Sequence, residues 1–565
     1  MNSSQVRRMW TVAIGMGVAL GVIILRLFAF QVLHGDEWRE VAIESLPVTD
    51  TPERGVIYDR NGAVLAVDEW DYRVGISPSI LTDPEELANE LAPVLQIPRG
   101  QLLADLESSE LYGVLAPRVS SETAEAIRAL TYGDEVQLDP LPRRFYPQNE
   151  LMCHVLGFVD FDGQGGAGIE GYYQSELAGT PASATVPLSP LQPQTAVMAR
   201  EGSDLVLTID RSVQYTVERH LKEALAEYGA VSGSIIVMDP RTGAILAMAA
   251  EPCYSANDFY DTEKSLFYNP LVSAVYEPGS VMKLVTMAAA LDSGTVTPTT
   301  TYNDTGAITV GGHTSYNWDR GAYGTTDMTN LLAHSLNVGA ATIATWMGPT
   351  TFYDYFQRFG FGRRTGIDIF NEEPGLMPLP GSGEWQESFI ATNAYGQALA
   401  VTPLQMITAV SALANNGYQM QPYVVAEVHD ENGVHVHEPT VLSQAVKPET
   451  AAAVTTMAVT AVQQEVQEAL IDGYTVAGKT GTAQIAEPFG YNPTDTIASF
   501  IGWLPADDPR IIVFVKLDRP QTAPWGSMTA APAFSKLVKE LVVLLDIPPD
   551  AVRLQAQAAT TGNGG

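Results

Sequence analysis

Cysteine is almost missing from this chain of 565 residues: only Cys153 and Cys253 are present. Two thiols are too few for a four-cysteine metal site or for the disulfide framework that holds small, core-poor proteins together. A single bridge between them and a pair of free thiols are both compatible with the sequence. No metal ligand set is expected, because His154 beside Cys153 has no second His/Cys pair near it and reads as a structural residue. Positive charge is scarce too. The 31 lysines and arginines face 65 aspartates and glutamates, a net charge of −34, which excludes a general nucleic-acid binder, since phosphate backbones are held mainly by Lys and Arg. The excess acid reads as a solubilising surface. A dinucleotide cofactor is not expected either. Gly163 to Gly168 satisfies Gly-x-Gly-x-x-Gly but lacks a sustained βαβ pattern and a placed acidic ribose ligand. Apolar residues are not short. At 46% hydrophobic the chain can build real cores in two to four domains.

Charge is also absent from Met9 to Leu25, and after Arg26 the apolar pattern resumes to Leu33. As a helix, 9–33 would be about 37 Å long, enough to cross a hydrocarbon core of about 30 Å with some tilt; Arg26 can snorkel to the far interface. Arg7 and Arg8 precede the run, so the positive-inside rule keeps residues 1–8 in the cytoplasm and sends everything after 34 outside. No Ala-x-Ala site follows, so the segment is expected to be an uncleaved anchor rather than a signal peptide. Residues 34–200 alternate short strand-like runs (72–76, 136–138) with helical stretches and read as a mixed α/β pedestal ending in a proline-rich passage with Pro181, Pro187, Pro190 and Pro193. A second unit, 201–548, opens with a strand at 205–209, a helix at 211–228 and a hairpin of 234–239 with 244–248. Helices are expected to dominate 280–415, strands return at 474–485, 497–503 and 511–517, and a helix at 533–545 closes the unit. Strands first and last with helices between imply one sheet whose ends meet around a helical block. The small, polar tail 549–565 is expected to be disordered.

Three short motifs carry chemistry. In the first, Ser280 and Lys283 open a stretch that is apolar on almost every side from Leu284 to Leu291, so the lysine falls in the first turn of a buried helix. A buried ammonium is costly unless paired or deprotonated, and a lysine with a loosened proton one turn from a serine is a base beside a nucleophile. In the second, Ser335 and Asn337 stand two apart at a helix junction, one suited to relay a proton and the other to hold an amide. Ser255 with Asn257 and Ser315 with Asn317 repeat the pattern, but Ser335 alone has helical flanks. The third, Lys479-Thr480-Gly481-Thr482, lies in a strand pattern. Lys479 can attract a carboxylate, Thr480 or Thr482 can bond it, Gly481 would let a ligand lie against the strand edge, and the Thr482 amide can face an oxyanion. Arg241 to Gly243 and Arg364 to Gly366 are Arg-Thr-Gly decoys in a turn and a loop.

Ser-x-x-Lys, Ser-x-Asn and Lys-Thr-Gly in this order resemble the penicillin-recognising serine enzymes. Over nearly its full length the chain resembles a class B penicillin-binding protein, the monofunctional peptidoglycan D,D-transpeptidase. The run 54–66 from Arg54, Arg144 to Pro147, Gly168 to Gly171 with Leu177 and Gly179, Leu207 to Asp210, and Tyr395 to Gln405 all look like that family's signatures. Tyr276 to Ser280 and Asn337 to Gly339 are closer to its division-type branch than to its elongation-type branch. The family more often has Ser where Leu336 stands and Phe where Met282 stands; neither change removes a catalytic atom. The resemblance implies a membrane-anchored α/β protein: one N-terminal transmembrane helix, a dimerisation-type pedestal, then a transpeptidase fold of antiparallel sheet plus helical subdomain. It implies acyl transfer through Ser280, with Lys283, Ser335, Asn337 and Lys479 catalytic and Thr480, Gly481 and Thr482 binding substrate. It implies no metal and no cofactor, residence in the cytoplasmic membrane, β-lactam acylation, and peptidoglycan stem peptides, a polytopic glycosyltransferase and other division proteins as partners. An elongation role, and a β-lactam sensor or scaffold with little turnover, are the competing readings.

Overall fold

The computed structural model describes residues 52–77, 80–107, 112–130, 135–180, 200–487 and 490–562, with scattered helical positions between 10 and 26 and the pairs 183–184 and 196–197. The expected anchor, 9–33, and the proline-rich passage lie mostly outside the described residues; among these, no helix is long and apolar enough to cross a membrane. The chain forms two units, one of 1–53 with 179–202 and one of 54–178 with 203–565. Within the first, Ser183–Ala184 pairs antiparallel with Ala196–Val197, continued by a bridge between Thr180 and Arg200.

In the larger unit, the long strand Val64–Ile76 pairs antiparallel with Gly113–Val119 and with Val136–Phe145. Helices Pro84–Leu95, Arg99–Leu106 and Ser121–Ala129 cover it. Local signals place these helices: Asp83 caps the Glu86 amide ahead of Pro84, and Ser120 caps Thr123. The strand Asp204–Leu207, expected to open the catalytic unit, pairs in parallel with Ile57–Tyr58 on one side and antiparallel with Val425–Asp430 on the other. One seven-stranded sheet therefore runs from the pedestal into the catalytic part. The family-like segments meet where they join it. Glu170, fully buried, accepts Arg54 Nε at 2.7 Å and Arg144 Nε at 2.6 Å, while Arg144 also reaches Asp68 and the Gly55 carbonyl. Two guanidiniums on one buried carboxylate are costly to desolvate and more costly to break. Cys153 and Cys253 form a disulfide that staples this region to the end of a catalytic strand.

The catalytic sheet has five antiparallel strands in the order Ala477–Glu487, Gly490–Leu504, Ile511–Asp518, Ser232–Met238, Ile245–Glu251. Its first and last segments in sequence are neighbours in space, as expected of strands flanking a helical block. Helices Arg211–Tyr228 and Ala530–Leu544 pack on one face around Leu221, Phe500, Phe534 and Leu537. The other face holds helix Lys283–Asp292, whose residues from Leu284 to Ala290 are all fully buried.

Helices dominate the 280–415 block as expected, and two short strand pairs interrupt them: Thr301–Asp304 pairs with Gly324–Asp327, and Ala307–Val310 pairs with His313–Tyr316 around Gly311 and Gly312, because β-branched Thr, Ile and Val alternate there about glycine turns. One expectation is corrected. The described part of the tail is not disordered, since Asp550–Gly562 is a helix. Its Arg553 forks onto Asp507 at 2.6 and 2.8 Å, and Asp550 accepts the Thr475 amide and hydroxyl; composition alone concealed these anchors.

Candidate active site

Pro278 and Gly279 bring the chain into a single 3-10 turn, Gly279–Met282, that passes directly into the buried helix at Lys283. Gly279 has φ +60°, and a Cβ there would meet the Thr482 carbonyl at 2.8 Å, so only glycine lets this turn press against the lysine strand. Gly481 serves the same approach from the other side. A Cβ on it would meet Ser499 Oγ at 2.3 Å, Val281 Cγ2 at 2.9 Å and the Pro278 carbonyl at 3.0 Å. Glycine thus lets the nucleophile turn and the lysine strand press together, and Thr480 and Thr482 of that strand line the catalytic cavity.

Helix Met328–Ala333 ends against Ser335, which adopts φ +59°. That left-handed conformation is strained for a residue with a Cβ; here it turns Ser335 toward Lys283 before helix Asn337–Arg358 begins. Lys283 Nζ lies 2.8 Å from Ser280 Oγ, 3.1 Å from Ser335 Oγ, 2.7 Å from the Ser335 carbonyl and 2.7 Å from Asn337 Oδ1. The carbonyl and the Asn337 oxygen can only accept. A neutral amine satisfies both with its two N–H groups and leaves its lone pair for a hydroxyl proton. The environment favours that neutral form: burial, with the charge of Lys479 adding to it, holds Lys283 well below the ordinary lysine value. Burial also lowers Lys479, to about 8, with Glu465 opposing. Burial pushes both lysines down, and the one beside both serines is lowered further by the other's charge.

The structure therefore brings Ser280, Lys283, Ser335 and Asn337 into one hydrogen-bonded group. Lys479 is buried behind the strand surface, its Nζ 3.4 Å from Thr480 Oγ1. The decoys take other work. Ser315 is buried against the Tyr395 hydroxyl and Asn317 bonds Asp304 and the Val338 amide, while the Tyr316 carbonyl between them accepts from Asn337 Nδ2. The decoy hairpin thus orients Asn337. Ser255 and Asn257 bind Asn149 and Tyr146 of the pedestal, and Thr365 and Gly366 bind Glu372.

A cavity of about 290 Å³ opens over Ser280, lined also by Ser335, Asn337, Thr480 and Thr482. Sequence reasoning missed part of its wall. Trp318 and Trp525 stand edge to face at 5.7 Å, and Tyr395, Gln397 and Ser527 complete the lining. Tyr395 and Gln397 fell inside a segment noted for its family likeness; the two tryptophans had no local signal. Chemically, the arrangement can activate a serine, transfer its proton within one hydrogen-bonded cluster, and present hydroxyls from an adjacent strand to an anion.

Known proteins resemble this chain over most of its length. Residues 233–539 match the penicillin binding protein transpeptidase domain, and residues 49–207 match the penicillin-binding protein dimerisation domain. Stage V sporulation protein D of Bacillus subtilis is 32% identical over 97% of this chain and 88% of its own length. The peptidoglycan D,D-transpeptidase FtsI of Escherichia coli is 30% identical over 95% and 91%. The crystal structure of penicillin binding protein 3 of Mycobacterium tuberculosis complexed with aztreonam superposes with a TM-score of 0.70 at 27% identity, covering 88% of this chain and 98% of that one. The chain belongs to the penicillin-binding protein transpeptidase family, in the class that joins a dimerisation domain to a transpeptidase domain.

Proposed function

We propose that this protein is a peptidoglycan D,D-transpeptidase of the division-type branch, cross-linking stem peptides through an acyl-serine intermediate. The Ser280 O–H gives its proton to neutral Lys283 as Oγ attacks the carbonyl of the penultimate D-Ala. The Ser280 and Thr482 amides receive the oxyanion, and Lys479 with Thr480 holds the terminal carboxylate. As the C–N bond breaks, the proton held by Lys283 passes through Ser335 to the leaving D-Ala amine. An amine from a neighbouring strand then attacks the ester and its proton returns by the same route, restoring Ser280. Gly481 supports this binding wall by its close packing, and β-lactams acylate the same serine. The observation that carries the reading is the buried Lys283 amine, within 2.7 to 3.1 Å of Ser280, Ser335 and Asn337.

The apolar segment 9–33 with Arg7 and Arg8 before it supports a single-pass anchor in the cytoplasmic membrane, the N-terminus inside and the catalytic domain outside. There it would work beside a polytopic glycosyltransferase and other division proteins. FtsI of Escherichia coli, a D,D-transpeptidase by name, is alike over nearly the whole length, which supports the septal role. Depletion tests it: filaments with the protein at mid-cell are expected, whereas rounded cells with dispersed protein would assign elongation instead.

A further inference from the structure

Asn337 serves Lys283 only if its amide faces the right way. Its Oδ1 accepts from Lys283 Nζ at 2.7 Å, and its Nδ2 donates to the Tyr316 carbonyl at 3.0 Å. Turned over, it would set N–H groups against the amine and an oxygen against an oxygen. A carbonyl can only accept, so the Tyr316 peptide fixes the choice. What holds that peptide, and the start of the helix that carries Asn337, lies deeper, at Asp304.

Asp304 is 1% exposed, at the end of strand Thr301–Asp304, and does not line the catalytic cavity. A buried carboxylate is costly unless its oxygens are bonded, and the donors on this one are neutral. Oδ1 accepts from Asn317 Nδ2 at 2.8 Å and from the Gly306 amide at 2.9 Å, and Oδ2 accepts from the Tyr302 hydroxyl at 2.8 Å. Each oxygen leads to the same helix. Through Oδ1 the carboxylate demands a donor of Asn317, whose Nδ2 also donates to the Gly321 carbonyl at 3.0 Å. Asn317 Oδ1 is therefore left for the Val338 amide, at 3.1 Å, one of the first-turn donors that have no partner inside a helix. The peptide joining Tyr316 to Asn317 carries the carbonyl that Asn337 needs. Through Oδ2, Asp304 holds Tyr302 under the same turn, where a Cβ on Gly339 would run into the tyrosine hydroxyl. Burial, then the bond to Asp304 and its charge, push that hydroxyl well above the ordinary tyrosine value, so it remains a donor.

Resting on the acyl-serine reading above, we infer that Asp304 is a positioning residue for the proton transfer: from outside the cavity it fixes how Asn317 and Asn337 present their amides, and so keeps the N–H groups of Lys283 engaged and its lone pair on Ser280. The test is the second-order rate of acylation by a fluorescent penicillin, measured on full-length protein in detergent micelles. Asp304→Ala should acylate at least about tenfold more slowly than the wild type, the scale of a hydrogen bond to a charged group. Asp304→Asn keeps an acceptor oxygen for Asn317, and its rate should lie closer to the wild type's than to that of Asp304→Ala. A double-mutant cycle separates positioning from a general loosening of the fold. On an Asn337→Ala background, Asp304→Ala should change the rate by less than about twofold, because its route to Lys283 is already cut. Asn317→Ala breaks the same link and takes the place of Asp304→Ala in the cycle if the latter shows no cooperative unfolding transition. Acylation of the substituted protein within about threefold of the wild type, or an equal slowing with and without Asn337, would overturn the inference. Failure of the wild type to be acylated would instead overturn the acyl-serine reading.

Discussion

Replacing Lys283 by arginine tests the proton-transfer chemistry while keeping the positive charge and aliphatic stem. The lysine is almost fully buried and its nitrogen donates to the Ser335 carbonyl and to Asn337 Oδ1, leaving the lone pair for Ser280. A guanidinium has no such lone pair and stays protonated with a pKa above 12. It would also force a planar fork into a space shaped for a single nitrogen between four oxygens. Loss of a general base costs roughly a hundredfold to ten-thousandfold in rate, and the lower bound corresponds to about 2.7 kcal/mol of barrier at 1.36 kcal/mol per decade. The assay is the second-order rate of acylation by a fluorescent penicillin, followed by gel fluorescence. A fall of at least about a hundredfold is expected. Acylation by Lys283→Arg within tenfold of wild type would refute the base assignment and move that role to Ser335.

Other perturbations test the scaffold. Glu170→Ala leaves Arg54 buried without its carboxylate and Arg144 with Asp68 alone, so a destabilisation of about 3–5 kcal/mol is expected; denaturant unfolding that shows a loss under about 1 kcal/mol would mean that the arginines find water instead. Gly481→Ala should part the lysine strand from the nucleophile turn, costing about 1–3 kcal/mol as overpacking does and slowing penicillin acylation, whereas unchanged acylation would show that the contact is dispensable. Burial lowers His154 from 6.5 to about 4. The unfolded chain therefore takes up this proton first, so stability falls as pH drops below 6.5 and the loss is complete below about 4, on the order of 3 kcal/mol. A His154→Phe variant should lose that portion of the pH dependence, and an unaltered stability profile between pH 6.5 and 4 would exclude His154 as its source.

The residues that the structure gathers around Lys283 were legible because each sits in a local pattern with a physical meaning: a serine and lysine one turn apart at the start of an all-apolar helix, a serine and asparagine at a helix junction. The central sheet was legible for the same reason, since its strands are runs of β-branched and apolar residues. Trp318 and Trp525 were not, because they come from loops 207 positions apart in numbering that meet only in the fold. Nor was the work of the Ser315 hairpin. Its pattern repeats the second motif, yet its side chains face Tyr395 and Asp304 and its backbone carries Asn337. The C-terminal helix was hidden because its anchors, Arg553 on Asp507 and Asp550 on Thr475, are tertiary contacts in a segment of weak composition. Gly481 was placed in a strand correctly, but which surface approaches it depends on Pro278 and Val281 across the cleft, a pairing no local pattern encodes.

The most direct test of the central claim is to identify the residue that a penicillin acylates. Full-length protein is labelled, digested and analysed by mass spectrometry, beside Ser280→Ala and Ser315→Ala. The adduct is expected on the peptide containing Ser280, absent from Ser280→Ala and retained in Ser315→Ala. An adduct that persists in Ser280→Ala, or one that maps to Ser315, would contradict the mechanism.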